Sequence, residues 1–278
     1  MLQNNSLIVS LSVSQWTARK MDKKVTTEVI DQHNAASDAG RWNKLLVAKE
    51  HTDAIQKIAS EARTFHYENT LAWGENNERL LPSKNYFTYV SKVNEIKGRF
   101  HAAVADFLKK YDYVIDEAKV RLNGTFNAKD YPTRYEAEDK FRFKISFMPV
   151  PSDDIRIELS NEEVASLREA IGTEINDRLQ DAVKGTWDRI KERLTAMKER
   201  LSDPKAIFRD SLFDNLSELI GLLPKLNVTD DPNITAICTE MRRLCVDPNS
   251  VRSNDNLRSQ KAQEVEQVLN KFSGFFQS

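Results

Sequence analysis

The stretch from Ser160 to Leu201 constrains this chain most, because it reads as one uninterrupted helix with no proline inside it. At the standard rise such a helix is roughly 60 Å long. Ser160 and Glu163 stand as a capping box, the hydroxyl accepting a backbone N–H and the carboxylate reaching back. Ser202-Asp203-Pro204 ends it, since the residue before a proline is pushed out of helical geometry. Between these ends lie Val164, Leu167, Ile171, Ile175, Leu179, Val183, Trp187, Ile190, Leu194, Met197 and Leu201. Their mean spacing of about 3.7 suits a nearly straight helix rather than a leucine-zipper supercoil. A helix this long, polar on its other faces, needs a partner along its length.

A second long helix is expected from about Lys84 to Leu122, opened by Pro82-Ser83. Val90, Val93, Ile96, Phe100, Val104, Phe107, Tyr111, Val114 and Ala118 mark its stripe. Asn123-Gly124 closes it, glycine taking the left-handed position. The two helices have similar length and one stripe each, so the simplest arrangement is an antiparallel hairpin. Between them, Phe141, Phe143, Ile145 and Phe147 alternate with polar residues, as do Ile155, Ile157 and Leu159, with Pro149 to Asp154 as the loop. The aromatic face of this β hairpin needs a cover, from the Tyr131-Pro132 segment or from a partner.

The expected fold is thus mainly α: a long antiparallel, coiled-coil-like helical hairpin, a small β hairpin at its tip, and an accessory helical bundle. The parts are residues 1–83 (a strand and helices), 84–202 (the hairpin, with its tip at 124–159) and 203–278. In the first part, Leu7 to Val13 reads as a strand and Gln15 to His33 as a helix with Ala18, Met21, Val25 and Val29 inward. Asn34 to Lys44 is a loop, Leu45 to Asn69 a helix, and Trp73-Gly74 a turn. In the last part, helices are expected near 205–223, 233–245 and 255–275, broken at Pro224, Asp231-Pro232 and Asp247-Pro248.

Eight glycines and eight prolines favour long helices over sandwiches or barrels. A net charge of −1 excludes bulk attraction to nucleic acid. Cys238 and Cys245 fall about two turns apart on one helical face, too far to bridge, which fits thiols in a reducing compartment. Without a secretory or transmembrane pattern, the expected location is cytoplasmic. The histidines His33, His51, His66 and His101 show no metal-binding spacing, no glycine loop cradles phosphate, and no nucleophile sits on a strand-to-helix elbow. The expectation is a protein that is not an enzyme and takes no metal or cofactor.

Trp16, Arg19 and Lys20, with Arg41, Trp42 and Lys44, put aromatic and cationic side chains together, as in surfaces that stack on bases or grip anions. The same residues also suit tryptophans in a small core with cations at its rim. Lys140, Arg142 and Lys144 on the polar side of the tip strand could meet a phosphate backbone, in a field diluted by Glu136, Glu138 and Asp139.

Several segments resemble one family. They are Ser14-Gln-Trp16-Thr-Ala-Arg19-Lys20, Leu80-Leu-Pro82-Ser-Lys-Asn85-Tyr86, Phe126-Asn-Ala-Lys-Asp-Tyr131-Pro132, and Phe147-Met-Pro149-Val-Pro151 followed by Asp154-Ile-Arg156. The family is the uncharacterised phage and proteobacterial domain of unknown function 3150, and the resemblance spans most of the first 200 residues. It implies no active site. Family members tend to be encoded near a MoxR-like AAA+ ring ATPase and a von Willebrand A-type protein, which implies an accessory role in a remodelling system. On that footing the partner is a protein, first the ATPase, in the host cytoplasm. A homo-oligomer is expected separately, because a slender hairpin with an aromatic-faced tip and the spare apolar positions Tyr86, Tyr89, Leu108 and Ile115 leaves apolar surface to cover. Trp16, Arg19, Lys20, Arg41, Trp42 and Asn85 are the candidate contacts. The other reading is a coiled-coil DNA-associated protein, similar in outline to Gam proteins that guard DNA ends, contacting DNA through Lys140, Arg142 and Lys144.

Overall fold

The computed structural model describes residues 2–74, 77–151 and 160–276. In order they form α1 (Leu2–Asn5), β1 (Ser6–Ser14), β2 (Arg19–Met21), α2 (Lys23–Gln32), β3 (Asn43–Leu45), α3 (Lys49–Glu68), β4 (Leu71–Ala72) and β5 (Glu78–Pro82). There follow α4 (Tyr86–Lys109), α5 (Tyr111–Leu122), α6 (Arg134–Glu138), β6 (Arg142–Pro149), α7 (Asn161–Ser202), α8 (Ser211–Leu226), α9 (Pro232–Leu244), α10 (Pro248–Ser253) and α11 (Asp255–Lys271). The protein is mainly helical, with a small sheet in the order β4-β5-β1-β6 and a two-stranded β2-β3 ribbon. Among the described residues no helix is long and apolar enough to cross a membrane. The chain divides into two compact units, one of Met1–Ser10, Tyr67–Tyr89 and Ser146–Ser278, the other of Leu11–His66 and Val90–Ile145.

In the first unit the capping box forms as read: the Ser160 hydroxyl accepts from the Glu163 N–H while the Glu163 carboxylate accepts from the Ser160 N–H. From Ala182 onward α7 is buried on one face, with Trp187, Ile190, Leu194, Met197 and Leu201 in a large core. Those residues pack with Leu216, Ile220 and Leu223 of α8, Ile237 and Met241 of α9 and Val265 of α11. The partner that α7 requires is therefore supplied within its own unit, by helices expected to be accessory. Its earlier apolar positions, Val164, Leu167 and Ile171, are half-buried.

Pro224, expected as a break, lies inside α8. A proline in a helix interior costs about 3 kcal/mol. Leu223 and Leu226 are both essentially fully buried, each recovering roughly 2 kcal/mol, so the helix continues to Leu226. The helix expected from 205 starts only at Ser211, because the carbonyls of the 203–206 segment are occupied otherwise. The Arg258 guanidinium, 8% exposed, donates to Leu201 O at 3.1 Å, Arg200 O at 2.7 Å, Ala206 O at 2.8 Å and also to Asp203 O. One cation thus satisfies the last carbonyls of α7 and the turn behind it, where the helix dipole favours positive charge. Cys238 is buried in α9, its thiol pKa pushed up by burial; Cys245 caps that helix, and both are free thiols.

The segment around Trp73, expected as a plain turn, is part of a β-hairpin: Leu71 pairs with Leu80 and Ala72 with Arg79, and β5 pairs on with β1. Ile8, Leu71, Trp73 and Leu80 form a second small core with Val150.

In the second unit the expected helix from Gln15 is corrected. Ala18 adopts φ 49°, Arg19 to Met21 form a strand paired with Asn43 to Leu45, and the helix begins after Asp22. Asp22 accepts from the Lys24 and Val25 N–H groups, so a strong N-cap overrides the apolar spacing upstream of it. The helix expected from Leu45 starts at Lys49, because Leu46 is tied to Ala18 O and buried with Val47. The second long helix is interrupted at Lys110, where ψ is 6° and the Lys110 N–H turns back to Phe107 O. Tyr111 is then buried, donating its hydroxyl to Pro132 O at 2.8 Å. Asn123, with φ 42°, takes the positive-φ position expected of Gly124.

The aromatic tip strand is covered by α4: Phe141 lies against Phe107 and Phe143 against Phe100. The expected second strand of that hairpin, Ile155 to Leu159, lies outside the described residues. Off the stripe of α4 and α5, Tyr89 and Leu108 are buried and Tyr86 and Ile115 half-buried, whereas Phe87, Tyr113 and Val120 are exposed.

Candidate functional site

The candidate residues Trp16, Arg19, Lys20, Arg41 and Trp42 all fall in the second unit, but they do not form one surface. Trp16 is half-buried, its ring 6.4 Å from Phe107 and 6.1 Å from Tyr111. It packs against two aromatic side chains of the core. Lys20 lies 3.4 Å from the Asp130 carboxylate, and Arg19 is exposed without an ion pair or side-chain hydrogen bond among the described residues. Asn85, in the first unit, is fully buried and donates to Asn69 O at 2.9 Å, so it holds a loop rather than a partner. Lys140, Arg142 and Lys144 are exposed, with Arg142 donating to Asp139 O.

Lys44, 5% exposed, is clamped by Asp130 at 2.7 Å, Asp22 at 3.2 Å and Thr125 O at 2.7 Å. Burial opposes the ammonium charge, yet the bonds to Asp130 and Asp22 outweigh it and raise the Lys44 pKa. Asp22 is lowered, first by the Val25 N–H and, against some desolvation, by Lys44. The arrangement ties the start of α2 to β3 and to the 125–130 turns. It is a fastening.

What remains open is a groove beside α2. None of the helix's residues is buried, although Val25 and Val29 were expected to face inward. Val29 and Ile30 instead line a cavity of about 280 Å³ together with Ala39, His33, Arg41 and Trp42. Its walls are fixed by hydrogen bonds. The Trp42 N–H donates to Thr26 Oγ1 at 3.0 Å, Trp42 O accepts from the Asp22 N–H at 3.0 Å, and the Ala35 N–H reaches Ile30 O. Trp42 is 37% exposed, and Arg41 makes no ion pair or side-chain hydrogen bond among the described residues. The sequence put Arg41 and Trp42 together, but Val29, Ile30 and His33 were missed as groove residues. The apolar stripe containing Val29 was visible; that Val29 stays 44% exposed was not.

Elsewhere in this unit Glu50, His51 and Glu117 bring three potential ligand atoms within 4.8 Å of one another, a convergence that histidine spacing alone did not reveal. His51 Nε2 is 2.8 Å from the Glu117 carboxylate, which accounts for two of the three as a mutual contact. Glu50 and His51 also lie in the first turn of α3, where the helix dipole opposes a bound cation. No family model matches this chain, and no curated protein or solved structure matches it either.

Proposed function

We propose that this chain is a non-enzymatic interaction protein, an oligomeric accessory of a MoxR-like AAA+ ring ATPase. The observation that carries the reading is the groove beside α2. An amphipathic helix with no buried residue, walled by a half-exposed tryptophan and an unpaired arginine, has the composition of an interface anchor. Tryptophan and arginine are the residues that most often dominate protein–protein binding energy. The resemblance to the domain-of-unknown-function family 3150 supplies the ATPase as first partner.

The polar groups fit this reading better than a catalytic one. The shifted pKa values in the second unit belong to groups held by their neighbours, such as Lys44 and Asp22, rather than to a group poised in a cleft. The test is co-purification of the chain with a MoxR-like AAA+ ATPase, in wild type and with Trp42→Ala and Arg41→Ala. Capture that both changes weaken supports the proposal. The alternative is DNA binding through Lys140, Arg142 and Lys144, whose support is their exposure on one short segment. Salt-sensitive DNA binding abolished by Arg142→Glu and Lys144→Glu, with no ATPase capture, would replace the first reading by the second.

A further inference from the structure

We infer that the groove beside α2 takes a short protein segment in which an apolar side chain is flanked by a carboxylate. The inference rests on the interaction reading above and names the chemistry that the groove recognises. Its floor is apolar, formed by Val29, Ile30 and Ala39. Among the described residues its ionisable lining is Arg41 and His33, without a carboxylate. The charge complement is an anion. Arg41 is free to receive it, having no ion pair or side-chain hydrogen bond among the described residues, and its planar fork suits a carboxylate.

At about 280 Å³, near the lower end of ligand-site volumes, the open groove has room for one anchoring side chain of a docked segment. Trp42 supplies an amphipathic wall, and its bonds to Thr26 and Asp22 hold its backbone in place before a segment docks. That preorganisation removes part of the entropic cost of binding a flexible chain. Docking on this wall is dominated by the apolar anchor, with Arg41 selecting the charge next to it.

The experiment uses the full chain and three labelled short peptides: alternating leucine and glutamate, leucine and glutamine, and serine and glutamate. Fluorescence anisotropy is expected to show saturable binding of the leucine–glutamate peptide, at least about tenfold tighter than either counterpart. Arg41→Gln should erase the preference for glutamate over glutamine. Val29→Ser should erase the preference for leucine over serine, and since Val29 is 44% exposed and Arg41 is exposed and unpaired, neither change should alter folding. Absence of saturable binding, equal binding of all three peptides, or a glutamate preference that survives Arg41→Gln would overturn the inference. If peptide recognition holds while ATPase capture is absent, the groove chemistry stands and the choice of partner falls. If the ATPase is captured but the peptides fail, the groove chemistry falls and the interaction reading stands.

Discussion

Arg79 and Arg189 direct their guanidinium groups at the same two backbone oxygens. Arg189 donates to Thr70 O at 2.8 Å and Tyr67 O at 2.8 Å, and Arg79 donates to Thr70 O at 2.9 Å and Tyr67 O at 3.2 Å. These carbonyls belong to the end of α3 and the turn after it, where the helix leaves acceptors without partners. Two cations at one acceptor pair repel each other. Burial first, and Arg189 second, bring the Arg79 pKa down to about 10.

The arginine pair predicts a definite kind of non-additivity. Either guanidinium alone still caps the turn and is relieved of its like-charged neighbour. Arg189→Met also loses its bond to Glu68 O and Arg79→Met its bond to Thr70 Oγ1 at 2.6 Å, so each single change is expected to cost about 2 kcal/mol. The double variant should cost about 1 kcal/mol more than the sum of the singles, because only then do the carbonyls lose both donors. Denaturant unfolding of the four proteins measures this. Strict additivity would mean that the two side chains act independently.

The Lys44 clamp sets an acid-sensitive contribution to stability. Lys44→Met leaves Asp22 and Asp130 without their buried counterion and should cost about 3 kcal/mol. The Asp22 pKa is lowered in the folded chain, so its contribution is present above the ordinary aspartate value and is lost as pH falls through the lower, folded value. The Lys44 pKa is raised, so its contribution is complete through neutral pH and fades only above the ordinary lysine range. Melting temperatures followed downward from neutral pH should therefore fall less steeply in Asp22→Asn than in wild type. Parallel acid limbs would remove Asp22 from this role.

Caps and stripes made much of the secondary structure legible. Ser160 and Glu163 announce α7 because both halves of a capping box are short-range chemistry, and the stripe from Trp187 to Leu201 follows from period alone. The helix expected at Gln15 failed because the pairing of Arg19 to Met21 with Asn43 to Leu45 joins residues more than twenty positions apart; the Asp22 cap, two and three residues from the N–H groups it accepts from, was local and was missed. Long-range cations failed for the same reason: nothing near Arg258 in the sequence says that it will meet the carbonyls of Arg200 and Leu201. At the groove, Arg41 and Trp42 were visible as a composition. The exposure of Val29 was not, since an apolar stripe does not say whether anything covers it.

The α7 capping box is a local device whose loss should have a local readout. Ser160→Ala removes the acceptor for the Glu163 N–H and should cost about 1 kcal/mol. Val164, Leu167 and Ile171 are only half-buried, so the first turns of α7 depend more on the cap than the buried stretch beyond Ala182 does. Amide exchange is expected to accelerate over roughly the first two turns and to stay unchanged around Ile190. Uniform acceleration along α7 would show that the helix opens as one unit.

Trp16 separates a core role from a binding role for the aromatic–cationic residues at the start of the chain. Its ring contacts Phe107 and Tyr111 at centroid distances of 6.4 and 6.1 Å, in edge or tilted arrangements that favour aromatic packing. Because Trp16 is half-buried rather than fully buried, Trp16→Ala should cost about 2 kcal/mol, below the range for a fully buried tryptophan. Trp42→Ala, at a half-exposed position on the groove wall, should cost less than about 1 kcal/mol of stability and act on binding instead. The comparison needs unfolding curves and partner affinity for both variants under conditions where each is folded. The core assignment of Trp16 requires that the folded Trp16→Ala protein bind its partner as wild type does. A loss of affinity there equal to that of Trp42→Ala would return Trp16 to the interface.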